Sequence, residues 1–453
     1  MSHVPFVESG SYPVRAGNAL KPLIDGTPVF RRICEAVERA RHSVWICAAF
    51  ATIDFRMPDA RGSFFDVLDR AAARGLDVRV IFWRPNTLEG NVTAFRGTAL
   101  DREFLGARGT RWRARWDRAH DAYCQHQKSW LIDAGRDCEI AFVGGVNMTL
   151  RGDSVPGHPG PGQRHDLYLE IEGPAATDVH HNFTQRWNEA SERDVEDGHW
   201  GHTGDDQLAF PTSLSVPRGR ALVQIQRTVH AGRYRDGAAT PEGRPFDIAG
   251  GERSILDQYL RAIEAARRTI YIENQSVPIV AVAERLEAAL KRGVDVNMLV
   301  PAEVEPFVRE ARRRGERQAL FAQLGALDRY PNFRLAGIQG HDAKGTPYGI
   351  YVHDKVMIVD DVWATIGSCN LHAFSLEGST EMNCSFHDPE IACRLRCDLM
   401  AEHLCCDVQA LDDRAAMALY REVADANRYR HDTGVRDWRG LLFRLDAASY
   451  GMD

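Results

Sequence analysis

The chain carries two copies of one short pattern, in which a histidine is followed two residues later by a lysine and five residues after that by an aspartate. The copies are formed by His126, Lys128 and Asp133 and by His353, Lys355 and Asp360. Mostly apolar residues separate each lysine from its aspartate, which predicts a buried β-strand. Side chains two apart on a strand share a face, so each copy is expected to place an imidazole beside an ammonium group.

An imidazole beside an ammonium group suits attack on a phosphodiester. The charge of the diester repels nucleophiles, so positive charge must neutralise its non-bridging oxygens and a proton donor must serve the leaving alkoxide. Two facing His-Lys pairs would supply both functions. Each copy is followed by a turn of small residues that ends in asparagine, and we expect its small residues to be structural. The two turns contain Gly144, Gly145 and Asn147, and Gly367, Ser368 and Asn370.

The repetition extends beyond the motifs. A helix followed by a strand is predicted over residues 30–50 and again over residues 255–275. A glycine that ends a helix before an alternating apolar run occurs at Gly75 and recurs at Gly293. The offset is 293 − 75 = 218 here, 353 − 126 = 227 at the histidine and 370 − 147 = 223 at the asparagine. Near-constant offsets indicate a duplication with loop insertions.

The alternation of helices with buried strands predicts the α/β class. We expect two tandem, similar α/β sandwich domains with pseudo-two-fold symmetry and the active site between them. The N-terminal half, residues 1–205, would carry the first motif, and the C-terminal half, residues 251–453, the second. Residues 206–250, rich in Gly and Pro, are predicted to be an irregular linker.

These features resemble the phospholipase D superfamily, whose hallmark is two His-Lys-Asp motifs, each followed by Gly-Gly or Gly-Ser and an asparagine. The flanking segments are similar as well. Residues 271–275, Tyr-Ile-Glu-Asn-Gln, resemble the strand ending that precedes the second motif in phospholipases D. His165 and Asp166, followed by Arg-Trp-Asn at 186–188, are similar to the first half of these enzymes. The flanks favour lipid-acting members over nuclease relatives.

The resemblance implies the phospholipase D fold and a two-histidine mechanism. One histidine attacks phosphorus to give a phosphohistidine, and the other protonates the departing head-group alcohol. The order usual in the family makes His126 the nucleophile and His353 the acid and base, although sequence symmetry alone assigns neither role. No metal or other cofactor is expected. The groups expected to bind the phosphoryl oxygens are Lys128, Lys355, Asn147 and Asn370.

Each histidine needs an acceptor at its second ring nitrogen. Asp133 and Asp360 lie seven residues beyond their histidines, roughly 20 Å or more along an extended strand, so we expect them to be structural. Asp166 and Glu381 occupy positions that resemble the family's histidine partners. Further candidates for substrate contact are Asn274, Gln275 and Ser375.

The bulk composition restricts the class of protein. A net charge of −7 provides no general field for polyanions, which disfavours a non-specific nuclease. The ten cysteines lack paired C-x-x-C spacing, so we expect them to be reduced. The first residues lack a signal-peptide pattern, and no apolar run reaches 18 residues. We therefore expect a cytoplasmic monomer that meets its phospholipid substrate peripherally, at a membrane or micelle surface, and binds no nucleic acid.

The leading hypothesis is a phospholipase D that releases phosphatidic acid and a free head group, with transfer to an alcohol as a second outcome. A cardiolipin-synthase-like phosphatidyltransferase would use the same intermediate. A nuclease or other phosphodiesterase, and a non-catalytic membrane-associated protein, are the remaining alternatives. Residues 111–116 mix arginine and tryptophan, which suits either a lipid interface or a packed strand. Histidines outside the motifs are interpreted as surface or loop residues: His120, His158, His180, His181, His341 and His372.

Overall fold

The computed structural model describes residues 3–85, 95–120, 122–191, 206–435 and 437–452, in which strands alternate with helices. The strands of the first half are β1 (Arg15–Ile24), β2 (Ser43–Ala48), β3 (Asp77–Trp83), β4 (Arg113–Asp117), β5 (Ser129–Ile132), β6 (Ile140–Gly144), β7 (Arg164–His165) and β8 (Leu167–Glu172). Its helices are α1 (Gly26–Arg39), α2 (Phe64–Ala73), α3 (Ala99–Arg108) and α4 (Pro174–Asn188).

The second half repeats this alternation with longer insertions. Its strands are β9 (Ala221–Val229), β10 (Glu252–Arg253), β11 (Thr269–Asn274), β12 (Asp295–Leu299), β13 (Phe333–His341), β14 (Pro347–Gly349), β15 (Tyr351–Val352), β16 (Lys355–Val359), β17 (Trp363–Gly367), β18 (Glu381–His387) and β19 (Leu442–Arg444). Its helices are α5 (Ser254–Ala265), α6 (Val280–Lys291), α7 (Pro306–Arg313), α8 (Gln318–Leu327), α9 (Ala373–Glu377), α10 (Pro389–Leu404) and α11 (Asp413–Thr433).

Strand order is the same in the two halves. The first half runs β4-β3-β2-β5-β6-β8-β1 and the second β13-β12-β11-β16-β17-β18-β9. In each, the first two pairings are parallel and the others antiparallel. The equivalent strands β1 and β9 pair with each other and join the halves. The predicted α/β class and its two-fold repetition are confirmed.

Helices cover the sheets and divide the interior into three main apolar clusters. One lies within the first half, where Phe30, Ile33 and Val37 of α1 recur at helical spacing and are buried. A second lies almost wholly within the other half, includes Leu286 of α6 and takes in Val4 from the start of the chain. The third contains residues of both halves, including Phe183 of α4. The shared cluster makes the two halves one packed unit, which fixes the motifs relative to each other.

Two segments differ from expectation. The segment 206–250, expected to be irregular, contains the nine-residue strand β9, whose central position in the sheet buries polar residues such as Gln224 and Gln226 and so hides the strand pattern. The segment 111–116 overlaps β4: Arg115 and Trp116 are buried within the strand, and Trp112 is buried just before it. The tryptophans of this segment are therefore packed inside the protein, whereas Arg111 and Arg113 are exposed.

Candidate active site

The first motif places His126 just before β5, against the second half of the chain. Its backbone N–H donates to the carbonyl of Thr380 at 2.9 Å. Its ring Nδ1 lies 2.9 Å from Oε1 and 3.0 Å from Oε2 of Glu381, the first residue of β18. The ammonium of Lys128 donates to the His126 carbonyl at 2.7 Å. A carboxylate of the second half therefore orients the histidine of the first.

The second motif shows the reciprocal arrangement. Nδ1 of His353 lies 2.6 Å from Oδ2 of Asp166, between β7 and β8 of the first half. Lys355 donates to the His353 carbonyl and, at 3.1 Å, to Oε1 of Gln275. Each histidine is thus completed by a carboxylate of the other half, and Nε2 remains the ring nitrogen free to react.

The small residues after each motif make room for these carboxylates. A Cβ at Gly145 would lie 2.2 Å from the Asp166 carboxylate, so only glycine lets that aspartate approach. Ser368 occupies the equivalent place in the second half, and its hydroxyl donates to Glu381 at 2.5 Å. A Cβ at Gly144 would meet the Leu167 carbonyl at 2.3 Å, and one at Gly367 would lie 2.1 Å from Asn383, so both turns pack tightly on the neighbouring strand.

The two histidines line one cleft of about 470 Å³ at the junction of the halves. Asn147 and Asn370 line it too, and their buried amide oxygens have no hydrogen-bond partner among the described residues. Buried amides without partners are costly unless a ligand satisfies them. The cleft therefore offers two imidazoles and two amides to a polar ligand, with two ammonium groups close behind.

Burial controls the ionisation of the site. Burial lowers the pKa of His126 and lowers that of His353 to about 3, so both imidazoles are neutral at neutral pH. Burial also lowers the pKa of Lys355 to about 8. Burial opposes ionisation of Glu381 as well, but His126 and Lys128 outweigh it and lower the pKa of this carboxyl. A neutral imidazole beside a carboxylate is prepared for nucleophilic attack.

The motif aspartates lie away from the cleft. Asp133 accepts hydrogen bonds from the backbone N–H groups of residues 41–43, just before β2. Asp360 accepts them from residues 267–269, just before β11. Both aspartates have positive φ, 53° and 54°, which turns the chain sharply after β5 and β16. Each fastens the end of a motif strand to the start of its neighbour.

Sequence profiles of two known groups match this chain. A profile described as "Cardiolipin synthase, PLD-like domain" matches residues 259–401, and one described as "Phospholipase D" matches residues 160–325. Phospholipase D A of Dictyostelium discoideum is 26% identical over an alignment that covers 83% of this chain and 33% of that protein. Cardiolipin synthase 1 of Staphylococcus epidermidis is 26% identical, covering 60% of this chain and 45% of that protein.

The chain belongs to the phospholipase D superfamily. It spans between a third and two thirds of the length of the first curated superfamily relatives that it matches. Among solved structures, phosphatidylserine synthase of Haemophilus influenzae Rd KW20 superposes with a TM-score of 0.57, covering 94% of this chain and 96% of that one at 12% identity. That likeness supports a shared fold. Within the described ranges, no helix has both the length and the apolar character needed to cross a membrane.

The candidates for substrate contact in this superfamily member are not all at the cleft. Gln275 lines it and bonds to Lys355. Asn274 instead accepts from the backbone N–H of Leu371 at 3.1 Å and so holds the turn after the second motif. The hydroxyl of Ser375 donates to Glu381 at 2.6 Å, which places it behind the histidine.

Sequence reasoning missed several residues of the cleft. His372, interpreted as a surface or loop residue, lines the cleft, and burial lowers its pKa to about 4. Its position two residues after Asn370 was the one available signal. His158 lies in a loop, as predicted, but is buried, whereas His180 and His181, assigned to the surface or loops, are buried within α4. Other lining residues carried no motif and come from loops, from the short strands β7 and β15 and from the start of α7: Phe50, Thr52, Arg164, Glu305, Phe307 and Tyr351.

Proposed function

We propose that the protein is a phospholipase D that cleaves glycerophospholipid diesters to phosphatidic acid and a free head group through a phosphohistidine, with transfer to an alcohol as a second outcome. The observation that carries this proposal is the pair of crossed histidine–carboxylate contacts at a single cleft, His126 with Glu381 and His353 with Asp166. Two imidazoles that line one cleft, each beside a carboxylate, suit a double displacement at phosphorus.

The first displacement joins enzyme and phosphatidyl group. Nε2 of His126 attacks phosphorus, and the bond between phosphorus and the head-group oxygen breaks. Lys128 and Lys355 neutralise the non-bridging oxygens as charge builds up on them. His353 gives its proton to the departing alkoxide. Because burial lowers its pKa to about 3, His353 gains this proton as the diester binds, since the anion favours the imidazolium.

The second displacement releases the product. His353, now neutral, takes a proton from water while the water oxygen attacks phosphorus. The phosphorus–nitrogen bond breaks and His126 returns to its neutral state. Glu381 stabilises the positive charge that His126 carries while it is phosphorylated. Phosphatidic acid leaves, and an alcohol in place of water would give a phosphatidyl alcohol by the same steps.

The test is a product assay on mixed micelles of several phospholipids, with and without a primary alcohol. We expect head-group release from the wild-type protein, a phosphatidyl alcohol when alcohol is present, and losses of about 10³-fold or more in His126→Asn and His353→Asn. His120→Asn is the matched control, because His120 is exposed and precedes the motif by six residues. Full lipid turnover by either motif variant would refute the mechanism, and no turnover by folded wild-type protein would refute the lipid substrate.

A second candidate is transfer to another lipid alcohol, as in a cardiolipin synthase. The match of residues 259–401 to a cardiolipin synthase profile favours it. Phosphatidylglycerol as sole substrate separates the two functions. Phosphatidic acid and glycerol as the main products support hydrolysis, whereas cardiolipin and glycerol support transfer.

A further inference from the structure

A second group of histidines and carboxylates lies buried beside the active-site pairs. It consists of Asp25, His158, His165 and Glu402, and we refer to it as the buried His–carboxylate cluster. The first three have no solvent exposure, and the side chain of Glu402 is 10% exposed. Asp25 precedes α1, His158 lies in the loop before β7, and Glu402 belongs to α10 of the second half. The cluster therefore bridges the two halves.

The distances within the cluster match a metal coordination shell. Nε2 of His158 lies 3.2 Å from Nδ1 of His165, 3.4 Å from Oε1 of Glu402 and 3.7 Å from Oδ1 of Asp25. Nδ1 of His165 lies 3.2 Å from Oδ1 of Asp25 and 3.9 Å from Oε2 of Glu402. Four ligands about 2.0–2.2 Å from a tetrahedral zinc ion lie roughly 3.3–3.6 Å from one another. Of the five observed distances, one falls within that range, two lie just below it and two lie above it.

The surroundings of the cluster also fit a metal site. Nε2 of His165, the nitrogen that points away from the cluster, lies 3.0 Å from Oε2 of Glu273. Metal-binding histidines usually donate their second N–H to such a carboxylate. Glu273 is fixed in turn by the Tyr271 hydroxyl at 2.5 Å and by Nε2 of His403 at 3.0 Å. The outer contacts would thus hold the His165 ring in the tautomer that a metal requires.

The buried charges of the cluster and an unpaired oxygen of Asp25 also support a metal site. Oδ2 of Asp25 is buried and lacks a hydrogen-bond partner in the part of the chain that the structure describes. Burying carboxylates is costly unless cations compensate them. A divalent cation among Asp25, Glu402 and the two imidazoles would supply that compensation.

We propose that Asp25, His158, His165 and Glu402 form a binding site for a divalent transition metal, with zinc as the best fit. Two imidazoles and two carboxylates at tetrahedral spacing are a ligand set that zinc accepts. The protein supplies all four ligands, so the site is structural and takes no part in phosphodiester cleavage. It fixes α10 to the first half and holds the backbone next to Asp166. This inference does not depend on the proposed function.

The test is the metal content of the full chain, produced without a polyhistidine tag. We expect about one zinc per chain after dialysis, and a lower melting temperature on removal by a chelator that zinc reverses. Cobalt in place of zinc should give the visible absorption bands of a tetrahedral site. His158→Gln and Glu402→Gln should retain less than about a tenth of the zinc. His180→Gln is the matched control, because His180 is also a buried histidine beside a carboxylate, 3.1 Å from Glu139.

Two outcomes would overturn the proposal. One is wild-type protein that takes up no zinc or cobalt and whose melting temperature zinc does not change. In that case a protonated His165 between Asp25 and Glu273 accounts for the cluster. The other is unchanged zinc content in folded His158→Gln and Glu402→Gln, which would place the metal elsewhere. If a variant does not fold, the cobalt spectrum of the wild-type protein still shows whether a tetrahedral metal site is present.

Discussion

The two active-site histidines differ in the carboxylates that hold them. Glu381 is longer than Asp166 and is itself held by the hydroxyls of Ser368 and Ser375. Asp166 instead accepts the backbone N–H of Leu167 at 2.9 Å. His126 is thus surrounded by more side chains that can rotate than His353 is. Such surroundings suit the residue that we propose to become phosphorylated.

The carboxylate partners are expected to matter for rate more than for stability. Glu381→Gln and Asp166→Asn keep the side-chain size but remove the charge that orients and stabilises each imidazolium. We expect kcat/KM to fall by about 10²–10⁴-fold in each. Ser375→Ala, which removes one donor to Glu381, should cost about 10-fold or less. Steady-state kinetics on a soluble diester measures these effects, and wild-type rates in Glu381→Gln would show that the pairing is not functional.

The pH dependence follows from the shifted groups. Burial lowers the pKa of His126, so this nucleophile remains neutral, and active, at pH values below the ordinary histidine value of about 6.5. Burial lowers the pKa of Lys355 to about 8, so its positive charge, and with it phosphate binding, is lost as the pH rises through that value. Because His353 must gain a proton as the diester binds, we expect kcat/KM to fall gradually as the pH rises and to fall more steeply above about pH 8, where Lys355 also loses its charge. In Lys355→Arg the steeper decline above about pH 8 should disappear, whatever the loss in absolute rate, and its persistence would assign that decline to another group.

The strands that carry the motifs depend on the aspartates at their ends. Asp360 accepts the backbone N–H groups of Arg267, Arg268 and Thr269. Asp360→Ala leaves these donors without their acceptor. We expect a loss of about 2–3 kcal/mol in the free energy of unfolding, measured with urea, and little change in kcat for the folded protein. Asp54→Ala, at an exposed position, is the control and should unfold like the wild type. A large loss of kcat in Asp360→Ala would assign this residue a role in the cleft.

The sequence predicts those secondary-structure elements that depend on residues close together in the chain. The buried strands after each lysine, the helix–strand repeats and the glycine turns at Gly75 and Gly293 depend on neighbours in the chain, and their periodicity reveals them. The contact between His126 and Glu381 joins residues 255 positions apart, and no periodicity records it. Asp166 and Glu381 emerged as candidates through family resemblance alone. The crossed pairing and the buried His–carboxylate cluster needed three-dimensional coordinates.

At the scale of the whole molecule, the mouth of the cleft carries exposed apolar side chains. Leu150, from the first half, is 62% exposed, and Phe307, at the start of α7, is 59% exposed. Both line the cleft. Large apolar side chains beside a cleft favour contact with a lipid surface. The half-buried Arg164 lies in the same cleft, where its charge suits a phosphate-rich interface.

We expect Leu150 and Phe307 to support activity on membranes but not activity on soluble substrates. Leu150→Asp combined with Phe307→Asp should lower turnover of phospholipid vesicles by about 10-fold or more, because two apolar contacts are replaced by charges that anionic lipids repel. Turnover of a soluble short-chain diester should change little. Leu100→Asp, at a position 74% exposed on α3, is the control. Equal losses on both substrates would place the effect inside the cleft.

The crossed pairing also bears on why the two halves share one chain. His126 needs Glu381, and His353 needs Asp166. Each half standing alone would therefore hold one histidine and one carboxylate, and both would lack their partners. Two separate halves would have to find each other by diffusion, and their rate would fall on dilution. A covalent connection replaces that encounter with a fixed effective concentration. Activity per molecule should therefore be independent of protein concentration, even for a single copy at a membrane.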